Sequence, residues 1–322
     1  MIQHAEVTAG NLEDKMARTV LVATDKPFAK PAVDGIRDVL TKAGYTLEML
    51  ENYTTPAELV AAVATPDALI VRSDKVTKEV LAAATNLKIV VRAGAGYDNV
   101  DCEAAKAKDV VVMNTPGQNA NAVAELAFGM MLNLARRKYT GKSGTELRGK
   151  TIGIHAYGNV GRCVAAIAKG FGMTVKAFDP FVAAKAMEAE GVVPVSSVEE
   201  LYGSCDYISL HIPANDKTKK SINFALLSRM KKGAALINTA RKEVIDEAGL
   251  LQMMAERTDF FYGTDLAPDC LAEMNEKYGE RFFATAKKMG AQTAEANINA
   301  GIAAAKQIVA FFEKGDATFR VN

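Results

Sequence analysis

From Thr19 onward, short apolar runs rich in β-branched residues alternate with stretches whose apolar positions have helical spacing. The polar, glycine-bearing segment 141–150 separates two series of this kind. The predicted strands are 19–25, 46–50, 68–73, 88–94 and 110–114 in the first series, and 151–156, 174–179, 207–212, 235–240 and 260–265 in the second. Strands that alternate with helices in this way predict parallel sheets joined by right-handed crossovers.

This pattern predicts an α/β fold of two Rossmann-like, doubly wound parallel-sheet domains with a cleft between them. An Ala-rich helix at about 293–313 ends the chain and is expected to pack back on the first series. We therefore expect a discontinuous domain of residues 18–115 plus 293–322 and a second domain of residues 116–292. Residues 1–17 lack regular patterning and are expected to form a flexible extension.

The composition is that of a globular protein, with 49% hydrophobic and 24% charged residues. A formal net charge of +1 gives no overall field that would attract nucleic acid or an anionic membrane. The four cysteines contain no CxxC pair, so we expect neither a disulfide framework nor a metal site. No apolar run approaches the roughly 18 residues needed to span a bilayer, and a cytoplasmic protein is expected.

The strand at 151–156 leads directly into Ala156-Tyr-Gly158-Asn-Val-Gly161, a GxGxxG fingerprint whose first glycine is alanine. In such a turn the second glycine lets backbone amides approach a pyrophosphate, and the third lets the helix pack on the strand. Asp179 ends the next strand, 18 residues past Gly161, where a carboxylate binds ribose hydroxyls and repels a 2′-phosphate. The pattern therefore predicts NAD as the cofactor, and the alternative is a plain strand-helix turn. The residues expected at the pyrophosphate are Gly158, Asn159, Val160 and Gly161.

Several motifs elsewhere occur in a fixed order. They are Arg92–Asp101, Asn114–Gly117, Ser209–Pro213 with Thr218, and Asn238–Arg241 followed by Val244–Glu247. Together they resemble the D-2-hydroxyacid dehydrogenase family over residues 19–322. The resemblance implies hydride transfer between NAD and a small 2-hydroxy or 2-oxo acid. It also implies further cofactor-binding residues, which are His211, Pro213, Thr239, Ala240, Asp265 and Gly290.

The resemblance implies a catalytic arginine, acid and histidine. Arg241 takes the arginine role, since its planar fork can bind a substrate carboxylate in a bidentate way. The usual glutamate-proline pair is here Pro268-Asp269, so Asp269 is the candidate acid and Glu273 the reserve. Lys242 stands where the family motif has glycine.

The family histidine is missing, since the three histidines are His4, His155 and His211. Its position falls on Lys288, or on Lys287 if the gap is placed differently. A lysine ammonium can deliver a proton during reduction, and in oxidation the amine must be neutral, so we expect oxidation to be fastest at alkaline pH. The alternative is that both lysines are solvated loop residues. His155, just before the turn, is expected to be a packed core residue.

Two arginines follow apolar strands directly, and cleft ligands of such sheets bind beyond the carboxyl ends of strands. A phosphate or second carboxylate would suit two guanidiniums with a hydroxyl and backbone amides. The residues in this predicted substrate site are Arg72, Ser73, Arg92, Gly94 and Ala95. Their arginines are similar to those of the phosphoglycerate dehydrogenase branch of the family. The alternative is that they pair on the surface with Asp74 and Asp98.

The leading hypothesis is NAD-dependent oxidation of D-3-phosphoglycerate to 3-phosphohydroxypyruvate, the entry to serine synthesis. One alternative is a glyoxylate or hydroxypyruvate reductase, or another D-2-hydroxyacid dehydrogenase. Another is a non-catalytic, corepressor-like NAD-binding protein, which the missing histidine and displaced acid keep open. The resemblance also implies a homodimer, with a phosphate-carrying 2-hydroxy or 2-oxo acid as the small-molecule partner.

Overall fold

The computed structural model describes residues 17–322, and most of the predicted extension therefore lies outside the described residues. The chain forms two compact units, one that runs to Pro116 and includes 297–322, and one of residues 117–296. Each unit contains one sheet, and every pair of neighbouring strands in both sheets is parallel. The predicted fold class, two parallel-sheet α/β domains, is confirmed.

The sheet of the first unit has five strands in the order β2-β1-β3-β4-β5. Its elements in chain order are β1 (Thr19–Thr24), α1 (Lys30–Lys42), β2 (Thr46–Glu51), α2 (Pro56–Ala62), β3 (Ala68–Val71), α3 (Lys78–Ala83), β4 (Ile89–Arg92), α4 (Cys102–Lys106) and β5 (Val111–Asn114). Successive side chains of β3 enter different cores, because they point to opposite faces of the sheet. This two-sided burial explains why its sequence is a continuous apolar run.

The second unit has a seven-stranded sheet in the order β12-β11-β10-β9-β6-β7-β8. Its elements in chain order are α5 (Ala120–Ala135), β6 (Thr151–His155), α6 (Asn159–Gly170), β7 (Thr174–Phe178), α7 (Ala184–Ala189), β8 (Val193–Pro194), α8 (Val198–Ser204), β9 (Tyr207–Leu210), α9 (Phe224–Leu227), β10 (Ala235–Asn238), α10 (Glu247–Glu256), β11 (Phe261–Thr264), α11 (Leu271–Tyr278) and β12 (Phe282–Ala284). The sequence pattern predicted five of these strands and missed the short β8 and β12. The reversal of strand order at β6 is the switch point at which such sheets bind ligands.

The last helix, α12 (Ala294–Lys314), contributes Ala300, Ala304 and Ile308 to the core beside β1 and β3. The residues after it run antiparallel along the outer edge of β5. The amide of Val321 donates to the carbonyl of Val112 (2.9 Å), and Met113 bridges to Arg320. This segment therefore packs on the edge of the first sheet, although Asn322 lies 210 residues after its partner Val112.

Within residues 17–322, no helix is long and apolar enough to cross a membrane. The same residues contain no group of three or more histidine, cysteine or acidic side chains arranged to hold a metal ion.

Candidate active site

The turn between β6 and α6 lies at the switch point of the seven-stranded sheet. Ala156 has a positive φ of 79°, a conformation that glycine adopts without strain and that alanine rarely adopts. Gly158 is the N-cap of α6, and a Cβ atom there would have no neighbour within 4 Å. A Cβ at Gly161 would lie 2.5 Å from the carbonyl oxygen of Ala156, so only glycine permits this close approach of helix and strand.

Asp179 follows β7 and faces the same turn. One carboxylate oxygen accepts a hydrogen bond from the amide of Tyr157 and the other from the amide of Phe181, both at 2.8 Å. These bonds fix the carboxylate beside the glycine turn. Phe181, which is 95% exposed, stands at the rim of the adjacent cavity.

A cavity of about 810 Å³ opens beside Asp179 and is also lined by Pro213, Thr218 and Arg229. Its size and its apolar walls suit a nucleotide base and ribose. The space above Gly158 is open, and a pyrophosphate there could accept hydrogen bonds from the first backbone amides of α6. These residues therefore fit a dinucleotide.

Two histidines lie close to the turn. His155 is buried against the rings of Phe178 and Tyr202, as expected for a core residue, and burial lowers its pKa to about 4. The ring of His211 lies 2.9 Å from the hydroxyl of Ser209, and burial and then the neighbouring His155 lower its pKa to about 3. Both rings are therefore neutral near pH 7, so neither supplies a protonated imidazole there.

Arg241 follows β10 in a loop that is shaped by a buried side chain. This side chain is that of Asn238. Its Nδ2 atom donates to the backbone carbonyl of Arg241 (3.0 Å), and its Oδ1 atom accepts from the backbone amide of Ala240 (2.9 Å). The half-buried guanidinium of Arg241 donates to the carbonyl of Ala240 (2.9 Å). Among residues 17–322 this is the one hydrogen bond of the Arg241 guanidinium, so a substrate carboxylate could engage its remaining donors.

Asp265, at the end of β11, is almost completely buried and binds the loop that carries the two candidate lysines. One of its oxygens accepts from the hydroxyl of Thr285 (2.9 Å) and the amide of Met289 (2.7 Å). The other accepts from the amide of Gly290 (2.8 Å). These three bonds fix the loop on both sides of Lys288, whose side chain is exposed.

The predicted acid Asp269 forms an ion pair of 2.6 Å with Lys242, and this contact raises the pKa of Lys242. Lys242 and Asp269 are two of the departures from the family motifs, and the structure places one beside the other. The reserve acid, Glu273, instead pairs with Lys277 on its own helix (2.9 Å). No sequence pattern predicted the Lys242–Asp269 contact, because 27 residues separate the partners.

The five predicted substrate residues lie at the carboxyl ends of β3 and β4, in the first unit; Arg92 is the last residue of β4, and the other four follow a strand. The Nε atom of Arg92 donates to the carbonyl of Arg72 (2.9 Å), which couples the two arginines. Gly94 has a φ of 150°, and a Cβ atom there would fall on Nη1 of Arg92. Ser73 and Ala95 are exposed beside them.

Asp74, the surface partner of Arg72 in the alternative interpretation, is buried, and its carboxylate accepts two backbone hydrogen bonds and one from a tyrosine. Its carboxylate accepts from the amide of Asp25 (2.7 Å), the hydroxyl of Tyr53 (2.6 Å) and the amide of Arg72 (3.2 Å). The guanidinium of Arg72 donates to the side chain of Asn297 (2.6 Å), a contact that sequence reasoning missed.

Comparison with known proteins agrees with this geometry. Residues 128–278 match the family described as D-isomer specific 2-hydroxyacid dehydrogenase, NAD binding domain. The chain is 39% identical over 236 residues to the hydroxypyruvate reductase of Thermotoga maritima, which covers 68% of this chain and 75% of that protein. The chain belongs to the D-isomer specific 2-hydroxyacid dehydrogenase family. It is therefore related to NAD-dependent dehydrogenases, and the prediction of NAD is confirmed.

Other similar proteins are named as phosphoglycerate dehydrogenases. The D-3-phosphoglycerate dehydrogenase of Methanocaldococcus jannaschii is 38% identical over 216 residues, which cover 63% of this chain. The chain spans only 41% of that protein's length. A NAD⁺-bound 3-phosphoglycerate dehydrogenase structure from Entamoeba histolytica is 46% identical, with a TM-score of 0.84 over 95% of this chain and 99% of that one.

Proposed function

We propose that this dehydrogenase interconverts D-3-phosphoglycerate and 3-phosphohydroxypyruvate with NAD, as the first step of serine synthesis. The observation that carries the proposal is the coupled pair Arg72 and Arg92, which offers two guanidiniums to one anionic group. The likeness to proteins named phosphoglycerate dehydrogenase supports it.

The acid end of the substrate is assigned to the second unit. Arg241 would bind the carboxylate and orient the C2 carbon, and the neutral His211 and the Asp179 carboxylate would help hold the cofactor. Bound NAD⁺ supplies the hydride acceptor when 3-phosphoglycerate is oxidised. Lys288 would take the hydroxyl proton in that direction and return it to the carbonyl oxygen in reduction.

The pair Lys242–Asp269 leaves a narrower role for the predicted acid. Because the Asp269 carboxylate is already bound by an ammonium, we propose that it orders the loop after Arg241. The backbone amides of Asp269 and Cys270 donate to the Glu247 carboxylate (2.8 and 2.9 Å), which joins the loop between β11 and α11 to the start of α10.

The test is the rate of NADH oxidation with phosphohydroxypyruvate, hydroxypyruvate and glyoxylate. We expect kcat/KM to be at least about 100-fold higher for the phosphorylated substrate, since charge-assisted bonds to a phosphate contribute about 1.5–3 kcal/mol each. A higher value with hydroxypyruvate would favour the reductase reading, which the Thermotoga relative supports. Tight NADH binding without turnover of any substrate would favour the non-catalytic reading.

The proton donor is tested by Lys288→Ala with Lys287→Ala as the matched control. We expect Lys288→Ala to lower kcat by about 100-fold or more, the usual size of a general acid-base contribution, with unchanged NADH affinity. An equal loss in the control would assign the role to Lys287, and no loss in either would remove lysine from the mechanism. The homodimer and the cytoplasmic location stay predictions, and sedimentation of the purified protein would test the first.

A further inference from the structure

The guanidinium of Arg72 is held from three sides. Its Nη2 atom donates to Oδ1 of Asn297 (2.6 Å), and its Nη1 atom donates to the carbonyl of Lys26 (3.2 Å). The same group lies over the ring of Phe28, with 5.1 Å from Cζ to the ring centroid. Such support fixes the plane of the guanidinium before any ligand binds.

Two of these contacts depend on one face of α12. Asn297 and Gly301 are four residues apart and therefore lie on the same side of the helix. A Cβ atom at Gly301 would lie 3.2 Å from Cε1 of Phe28, so the glycine gives the ring its space. Phe28 is itself buried in the core of the first unit.

The supports leave the binding capacity of Arg72 largely intact. A guanidinium has five N–H donors, and among the described residues the bonds to Lys26 and Asn297 use two of them. Burial lowers the pKa of Arg72, but Asp74 and Asp25 oppose this effect, and an arginine stays charged at neutral pH. Three N–H groups thus remain for an oxyanion.

We propose that Asn297 and Phe28 are positioning residues that set the preference for a phosphorylated substrate. They act through the guanidinium of Arg72, whose backbone carbonyl separately accepts a hydrogen bond from Nε of Arg92. A phosphate is bound best when both guanidiniums are already oriented, because no side-chain entropy is then lost on binding. This inference rests on the proposed function and names the residues that make its substrate specificity.

The experiment compares phosphohydroxypyruvate with hydroxypyruvate in the wild-type enzyme and in Asn297→Ala. We expect the KM for the phosphorylated substrate to rise about 10-fold, since one charge-assisted hydrogen bond contributes about 1.5–3 kcal/mol. The KM for hydroxypyruvate and the affinity for NADH are expected to stay within about twofold, since neither ligand has a phosphate that Arg72 would bind. Phe28→Leu is expected to raise the same KM by a smaller factor, about 2- to 5-fold, which corresponds to the cation–π contact of about 0.5–1 kcal/mol that it removes.

Arg72→Ala is the control that tests whether Asn297 acts on substrate preference through Arg72. In the Arg72→Ala background, Asn297→Ala should cause no further loss of preference, which is the behaviour of two residues that act as a unit. A merely structural role would raise both KM values together and lower the thermal midpoint. If the wild type prefers the phosphorylated substrate and Asn297→Ala keeps that preference, this inference alone is wrong. If the wild type shows no preference, the proposed function fails as well.

Discussion

The glycine turn of the second unit and the arginine pair of the first are built in different ways. The turn uses the main chain, through the positive φ of Ala156, the open surface at Gly158 and the amides that bind Asp179. The arginine pair uses side chains that other side chains hold in place.

Because of this difference, the two sites respond differently to substitution. A main-chain site depends on backbone conformation, so alanine can replace the first glycine of the fingerprint at the cost of some strain. A side-chain site depends on every supporting residue, and one support of Arg72 is 225 residues away in sequence. The loop at 285–290 combines both, because one carboxylate binds its main-chain amides.

The largest effect is expected for Asp265→Asn, which removes part of the side-chain support of the main chain in the loop at 285–290. Asparagine has only one acceptor oxygen and would turn an NH₂ group toward a backbone amide, so the loop that carries Lys288 would shift. We expect kcat to fall about 100-fold, the loss that a 1 Å misplacement can cause.

The same variant distinguishes two roles of Asp265. If the residue mainly binds the cofactor, as the resemblance implies, the dissociation constant of NADH will rise while kcat at saturation changes little. If it positions the loop, kcat will fall and NADH affinity will be retained. Thr285→Val, which removes one of the three bonds, is the graded control.

The next effect concerns pH and the strand that leads into the turn. The pKa of His155 is about 4 in the folded chain, below the value of ~6.5 for an unfolded histidine, so the unfolded state binds the extra proton between these values. The contribution of the neutral His155 to stability is therefore complete above about pH 6.5 and is lost by about 1.4 kcal/mol per pH unit on acidification toward 4. Urea unfolding at several pH values between 4 and 6.5 should show that the free energy of unfolding of His155→Gln changes by about 1.4 kcal/mol per pH unit less than that of the wild type. An unchanged pH dependence would contradict the burial argument.

A smaller effect is expected for Gly94→Ala, which disturbs the arginine pair of the first unit and leaves the glycine turn of the second unit unchanged. The new Cβ would displace the guanidinium of Arg92, so the KM for phosphohydroxypyruvate should rise about 10-fold with unchanged NADH binding. Gly44→Ala is the matched control, since Gly44 also has a positive φ (79°) but no atom within 4 Å of the added Cβ. Equal KM changes in both variants would show that backbone strain, and not Arg92, is responsible.

The smallest effect is expected for Ala156→Gly, which restores the glycine fingerprint. Relief of the positive φ should stabilise the protein, and the greater freedom of glycine in the unfolded chain should offset part of the gain. We expect a net increase of about 0.5–1 kcal/mol in the free energy of unfolding. Ala165→Gly, inside α6, should instead destabilise the protein, and parallel losses in both variants would refute the strain argument.

The sequence predicted the fold well where the physical pattern is local. Ten strands were found, most of them because buried parallel strands are continuous apolar runs, whereas β8 and β12 have two and three residues and show no periodicity. The glycine turn and Asp179 were likewise predicted from spacing within one strand-helix-strand unit.

The contacts that shape the candidate chemistry were harder to predict. The pairs Lys242–Asp269 and Arg72–Asn297 join residues 27 and 225 positions apart, and no periodic pattern relates them. Asp265 was expected to bind cofactor because the family motif suggested it, and its three bonds to the following loop became visible only in three dimensions. Long-range hydrogen bonds of side chains are set by packing, which a linear pattern does not encode.

The segment that follows α12 also closes a sheet edge. The side chain of Asn322 accepts from the amide of Val112 (2.9 Å) and donates to the carbonyl of Val110 (2.9 Å), as a neighbouring strand would. Polar main-chain groups on an uncovered edge strand can recruit a strand from another molecule and so start aggregation. Residues 320–322 thus cover this edge of β5, and a variant that lacks them is expected to self-associate through β5 even if its catalytic groups are intact.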